Sequence, residues 1–236
     1  MALSRADLRH IRRTGRWTRL AADHALRRLL AGRAAAGPGA GLQPSWLPRR
    51  LLTVLTGDVD TAAGAAAVWM MWRPGSAARR ESHVELFERV GGEWVALGGG
   101  GGSAEGLPAR RLPAGEPGQF GMVETHGGGG CAARLRPEDG PPPWIGYAEL
   151  RVADEVDHLL IGDRRADVPA DGLLVAVWIL PSAVVGPAAR PPITCVGRGG
   201  EVLSTLGPSA GMDSYAYDLV VAAGAGASDP RPTSGG

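Results

Sequence analysis

Two residue types are missing altogether. The chain of 236 residues has no Lys and no Asn, and all 25 of its basic residues are Arg. Without Lys there is no Walker A lysine, no kinase-type lysine, no Schiff-base nucleophile and no Ser–Lys dyad. Without Asn there is no acceptor for N-linked glycosylation. Cysteine is scarce: Cys131 and Cys195 are too few for a disulfide scaffold at this length. Long apolar runs are lacking too. Residues 62–72 and 172–180 are the longest, and both fall short of a membrane span. Arginines interrupt every apolar stretch in residues 1–30, where a secretory signal would need an unbroken one. These absences give the expectation of a cytoplasmic protein with no transmembrane segment, no metal and no cofactor. The excess of Ala, Gly, Arg and Pro reads as the codon bias of a GC-rich genome, so the 37 Gly and 19 Pro are weak signals of disorder.

The near-zero net charge hides an asymmetry. Residues 1–33 carry nine Arg against Asp7 and Asp23, and the remainder is net acidic. Residues 4–32 read as helix, with Ser4 and Asp7 as a cap. Gly15 is expected to break or kink the helix and Gly32 to stop it. Trp17, Leu20, Ala21 and His24 share one face, with Leu26, Leu29 and Leu30 beside it. Arg12, Arg13, Arg16, Arg19, Arg27 and Arg28 make this a basic amphipathic arm, the first candidate for contact with a partner.

Residues 34–45 read as a linker and residues 46–140 as a β-rich region with long Gly/Pro loops. Within it, residues 50–56 and Ala65–Trp72 read as strands, with a turn at residues 58–64. Residues 83–90 and 93–97 read as a hairpin joined by Gly91 and Gly92. The glycine runs 98–102 and 127–130 read as loop, and residues 119–125 as one strand between them.

Residues 141–225 carry the clearest pattern. Val156–Ile161 is an apolar segment closed by Gly162-Asp163, a two-residue hairpin turn, with residues 164–168 as the return strand. Pro169, Asp171 and Gly172 form a second turn. Leu173–Leu180 is a continuous apolar run, read as a strand buried on both faces. Residues 193–196 and 201–206 flank a third turn at Gly197-Arg198-Gly199-Gly200. Residues 208–225 permit a final strand, and residues 226–236 read as a disordered tail. This strand-and-turn pattern over residues 147–206 resembles the Ig-like β-sandwich modules appended to many bacterial proteins. The resemblance implies a binding or spacing role rather than chemistry. Trp178 has a cysteine on each side, but Cys131 and Cys195 lack the spacing of an antibody domain. The fold class expected is therefore mainly β, an Ig-like sandwich body with an N-terminal helical arm.

Several stretches match catalytic motifs in part. Gly207-Pro208-Ser209-Ala210-Gly211 has the G-x-S-x-G form, and His126 with the four following glycines resembles the oxyanion loop of lipases and esterases. The elbow requires Asp or Glu and then His after the serine, and no His follows His158. Gly99-x-Gly101-x-x-Ala104 and Gly127-x-Gly129-x-x-Ala132 approach the dinucleotide fingerprint, but Pro108 and Pro137 leave no room for the helix it needs. Asp58-Val59-Asp60 resembles the D-x-D of haloacid-dehalogenase-type phosphatases, without the alternating α/β pattern around it. His83, His126, His158, Cys131 and Cys195 lack the paired spacing of a zinc site.

The function expected from sequence is a non-catalytic accessory or adaptor protein, binding another protein with an acidic surface through its arm or β-body loops. Nucleic acid and anionic membrane are the lesser partners. The competing reading is a serine hydrolase of atypical layout using Ser209 with His126.

Overall fold

The computed structural model describes residues 5–32 (side chains from Gly15 onward), 41–73, 75, 80–104, 107, 111–115, 121–134, 142–180 and 190–207. Its elements are one helix, α1 (Arg5–Leu30), and eleven strands. These are β1 (Leu52–Asp60), β2 (Ala65–Trp72), β3 (Glu81–Val90), β4 (Glu93–Ser103), β5 (Val123–Ala132), β6 (Trp144–Val152), β7 (Val156–Ile161), β8 (Arg164–Asp167), β9 (Leu173–Leu180), β10 (Ile193–Gly197) and β11 (Val202–Leu206). All strand pairing within the sheets is antiparallel, and the fold is mainly β.

The sheets stack in layers. The first is a meander, β1-β2-β3-β4. The central sheet runs β5-β6-β9, and the third β11-β10-β7-β8. Side-chain alternation builds the layers. On β9, Leu173, Val175 and Val177 face the first sheet, while Leu174, Ala176 and Trp178 face the third. β6 does the same with Ile145 and Tyr147 on one side and Ala148, Leu150 and Val152 on the other. The apolar run of β9 is thus buried on both faces, as its unbroken hydrophobicity predicts. The outer face of the first sheet is covered by α1: Ala21, Ala22, Ala25 and Leu26 pack against Leu52, Val54, Ala66, Val68, Met70 and Phe87. Small residues let the helix lie close. A Cβ on Gly57 would come within 2.6 Å of Leu29 Cδ1.

Four expectations need correction. α1 runs unbroken through Gly15, because tertiary packing of the following turns outweighs one glycine's propensity cost. Its buried face is also rotated from the one expected: Ala22 and Ala25 are buried, whereas Leu20 and Leu30 are exposed. Asp58 and Asp60 belong to β1, and the turn occupies residues 61–64, with Gly64 at φ +76°. The glycine runs 98–102 and 127–130 are strand, in β4 and β5. Their lost side-chain contacts are replaced from the neighbouring strand. His83 lies beside Gly99 and Gly101, Tyr147 over Gly129 and Trp144 over Gly130; a Cβ would first meet the carbonyl oxygen of Val84 at Gly99 and of Ser82 at Gly101, and the neighbouring ring at Gly129 and Gly130. Ser4, residues 33–40 and residues 208–236 lie outside the described residues. No helix among those described is long and apolar enough to cross a membrane.

Candidate functional site

The basic arm is the outer layer of the molecule. Because Ala21, Ala22, Ala25 and Leu26 face the sheet, the opposite side of α1 faces solvent. There Arg16, Arg19 and Arg27 are exposed. Arg28 is half-buried and donates Nε–H to Gly41 O at 2.9 Å. Arg12 and Arg13 lie in α1, and their side chains are outside the described residues. Arg19 reaches Glu85 Oε1 at 3.5 Å. Glu85 is buried and also meets His83 Nε2 at 3.2 Å, so it is only partly available to Arg19.

Residues 41–51 extend this surface. Leu42 and Leu47 are buried against α1 and the first sheet and anchor the segment. Two proline-started turns follow in succession, with Leu47 N–H on Pro44 O and Leu51 N–H on Pro48 O. The Gln43 side chain ties them down. Its amide donates to Leu47 O and Leu52 O, and its oxygen accepts from Val54 N–H at 2.9 Å. The turns hold Trp46, Arg49, Arg50 and Leu51 outward. Trp46 stacks on Trp17 with ring centroids 5.6 Å apart and stays 49% exposed. The Trp17–Trp46 pair joins α1 to these turns, with exposed guanidinium groups at Arg16 and Arg27 of the helix and at Arg49 and Arg50 of the turns. None of these four is in a salt bridge among the described residues, although Arg27 acts on Asp23 at longer range. Two groups on α1 are shifted, both mainly by burial. Asp23 is pushed up by burial, against the pull of Arg27 and Arg19. His24 is pushed down by burial, then by Arg28 and Arg27.

Trp46 and Arg49 escaped the sequence reading, which ended a linker at residue 45 and began a strand at Arg50; the strand begins at Leu52, and Arg50 lies in the turn before it. The usable signal was Pro44-x-x-x-Pro48, two turn-starting residues around an unpaired Trp.

The catalytic candidates are dispersed. Ser209 lies outside the described residues. His126 sits at a bulge in β5. Its Nε2 is 3.8 Å from Glu124 Oε2 and has no hydrogen-bond partner among the described residues. Burial pushes its pKa down, with Arg151 adding to that and Glu124 opposing it. Asp58 and Asp60 are occupied by Arg164. Asp58 takes a bidentate pair at 2.7 and 2.6 Å and also accepts Val177 N–H, while Asp60 lies 3.4 Å from Arg164 Nε. The pair is a staple across three sheets, not a nucleophile facing solvent. Cys131 packs between the first and central sheets and Cys195 between the central and third, so the two thiols stand on opposite sides of β6.

One polar chain is buried between the first two sheets. Trp69 Nε1 donates to Ser82 Oγ at 2.7 Å, and Ser82 Oγ donates to Glu149 Oε2 at 3.0 Å. A Cβ on Gly127 would lie 3.0 Å from that carboxylate oxygen. Burial pushes Glu149 up, while Ser82 and His83 pull it down. Tyr147, two residues earlier on the same face, is pushed up to about 12 by burial and then by Glu149 and Cys131. A shallow depression of 510 Å³ near Arg111, Asp154, Asp157 and Arg198 is the remaining concavity of note. Arg111 spends its donors there on five backbone carbonyls. Asp157 is held by His158 and Arg165.

No protein-family model, no curated protein and no solved structure matches this chain. The arrangement of its own residues is what bears on function.

Proposed function

We propose that the chain is a non-catalytic adaptor that docks on an acidic protein surface through the outer face of α1 and the turns at residues 44–51. The observation that carries this reading is the exposed Trp46 ring set against the partly buried Trp17, with exposed arginines on α1 and on the turns beside it. Trp and Arg are the side chains that supply most of the energy at protein interfaces. Exposed guanidinium groups that make no salt bridge among the described residues are free to pair bidentately with carboxylates of a partner. An anionic membrane is the lesser reading, because most of the apolar side of α1 is spent on the first sheet and Leu20 and Leu30 are what it leaves exposed.

The body supplies a rigid base for that face. We read β5–β11 as an Ig-like sandwich. Two antiparallel sheets of three and four strands, β5-β6-β9 and β11-β10-β7-β8, enclosing one core, support this. The first sheet and α1 then cover the face of the three-stranded sheet that would otherwise meet water.

The test is capture of partners from source-cell lysate by the native chain and by a variant carrying Arg16→Glu, Trp46→Ala and Arg49→Glu. All three positions are exposed, so the fold should persist. The expected result is an acidic protein retained by the native chain, lost by the variant, and released as salt rises through the range where surface charges are screened. Identical capture by both proteins, or none by either, rejects the reading. The hydrolase alternative needs Ser209 to react with a fluorophosphonate and Ser209→Ala to abolish labelling. A native chain that never labels removes it.

A further inference from the structure

A positive φ sets a side chain against its own backbone, and glycine is the usual residue where the chain needs one. Eleven described residues have a positive φ, and ten of them are glycines, including Gly64, Gly91, Gly162 and Gly200 at hairpin turns. The eleventh is Arg73, at φ +49°. A sequence with 37 glycines thus keeps a long charged side chain at one such place among the described residues. Backbone strain of this kind costs stability and gathers at sites of binding and switching.

Arg73 follows directly on β2. On that strand Met70 and Trp72 pack on the side of α1, whereas Trp69 and Met71 pack on the side of the central sheet. Continued alternation would send Arg73 the way of Met71, toward the layer between the sheets. The left-handed backbone ends the alternation there. Arg73 N–H donates to Leu51 O at 2.9 Å, and Leu51 N–H donates to Pro48 O at 2.9 Å. These bonds tie Arg73 to the second of the proline-started turns. Leu51 is exposed, as are Arg49 and Arg50 before it. Arg73 itself is half-buried, and its guanidinium is in no salt bridge among the described residues. Glu81, opposite Trp72 in the β2–β3 ladder, does not pair with it.

We propose that Arg73 is a contact residue of the docking face, kept in a strained backbone because its guanidinium pairs with carboxylates of the acidic partner beside Arg49 and Arg50. This role rests on the docking function proposed above and extends that face to the exit of β2. Three guanidinium groups about one exposed leucine suit a partner segment in which carboxylates flank an apolar side chain. Glycine at position 73 would serve the fold better and the contact worse.

The test measures fluorescence anisotropy of a labelled peptide in which glutamates flank one leucine on both sides, against a control peptide with glutamine at every acidic position. The native chain is compared with Arg73→Gly, Arg73→Asn, Arg198→Gly and the variant carrying Arg16→Glu, Trp46→Ala and Arg49→Glu. Glycine relieves the backbone and asparagine tolerates it, and both remove the guanidinium. Arg198 is exposed on the turn between β10 and β11, so its loss takes the same charge from the third sheet. Arg73→Gly should melt about 2 °C above the native chain. Both Arg73 variants should bind the acidic peptide roughly two- to fivefold more weakly, the range of an exposed ion pair, and with a shallower salt dependence. Arg198→Gly should bind as the native chain does, and the control peptide should not bind. Arg73 variants that bind as tightly as Arg198→Gly overturn the proposal. A lower Tm for Arg73→Gly also overturns it, by making the arginine a part of the fold. If the triple variant loses binding and the Arg73 variants keep it, the docking function stands and only the role of Arg73 falls. If the native chain and the triple variant bind the acidic peptide equally, or neither binds it, both fall.

Discussion

Single residues here do their work by crossing between layers. Arg164 leaves β8 of the third sheet, pairs with Asp58 of the first, and bonds Val177 O of the central sheet. Removing one member leaves a partly buried charge unmatched, which is the costly way to break such a pair. Arg164→Ala is expected to lower stability by about 3 kcal/mol, read from the urea midpoint. A loss under 1 kcal/mol would show that water replaces the guanidinium. Glu149 has the opposite character. Burial holds its folded pKa above the ordinary value, so the folded protein keeps this proton to higher pH than the unfolded chain. Stability must therefore fall as pH rises from the ordinary glutamate value through the raised one, and level off above it. Glu149→Gln keeps an acceptor for Ser82 without the charge. The difference in unfolding free energy between Glu149→Gln and the native chain should grow in the variant's favour over that pH range. A constant difference would mean that Glu149 is ionised in the folded protein without penalty.

At the scale of elements, α1 shows how propensity and packing divide the work. Gly15 lies inside the helix, and a Cβ there meets nothing within 4 Å. Gly15→Ala should stabilise the protein by about 0.5–1 kcal/mol, seen as a higher Tm. A lower Tm would mean the helix needs its glycine. Gly57→Val should do the reverse. It drives a branched side chain into Leu29, 2.6 Å from where the first added carbon would stand, and overpacking of this kind costs about 1–3 kcal/mol. The glycine strands make the complementary point. Residues 98–102 and 127–130 hold no alternation of apolar and polar side chains, so nothing in their own sequence marks them as strand. The mark lies in β3 and β6, whose His83, Tyr147 and Trp144 need flat ground to lie on. By contrast, β7 to β11 announce themselves. Their turns fall at Gly162, Gly172 and Gly200, each with positive φ, and every strand but the short, charged β8 is rich in apolar or β-branched residues.

For the whole molecule, the arm is cover, and in the function we propose it is contact surface as well. Deleting residues 1–41 would uncover Leu52, Val54, Ala66, Val68, Met70 and Phe87, which α1 now buries. The shortened protein should bind a hydrophobic dye and aggregate on size exclusion. Clean monomeric behaviour would show that α1 is dispensable to the fold. Point changes on the outer face, not truncation, are therefore the means of separating docking from stability.

The sequence by itself determined the strands of residues 156–206 and an N-terminal helical arm rich in arginine, because turn glycines, apolar runs and charge act locally. It also excluded lysine-dependent chemistry outright. Only the tertiary structure decided which face of α1 is buried, that Trp46 joins Trp17 on the exposed side, and that two runs of glycine are strands. The physical reason is common to the three. Alanine, glycine and a lone tryptophan carry little local preference, so their places are set by what the opposing layer leaves room for.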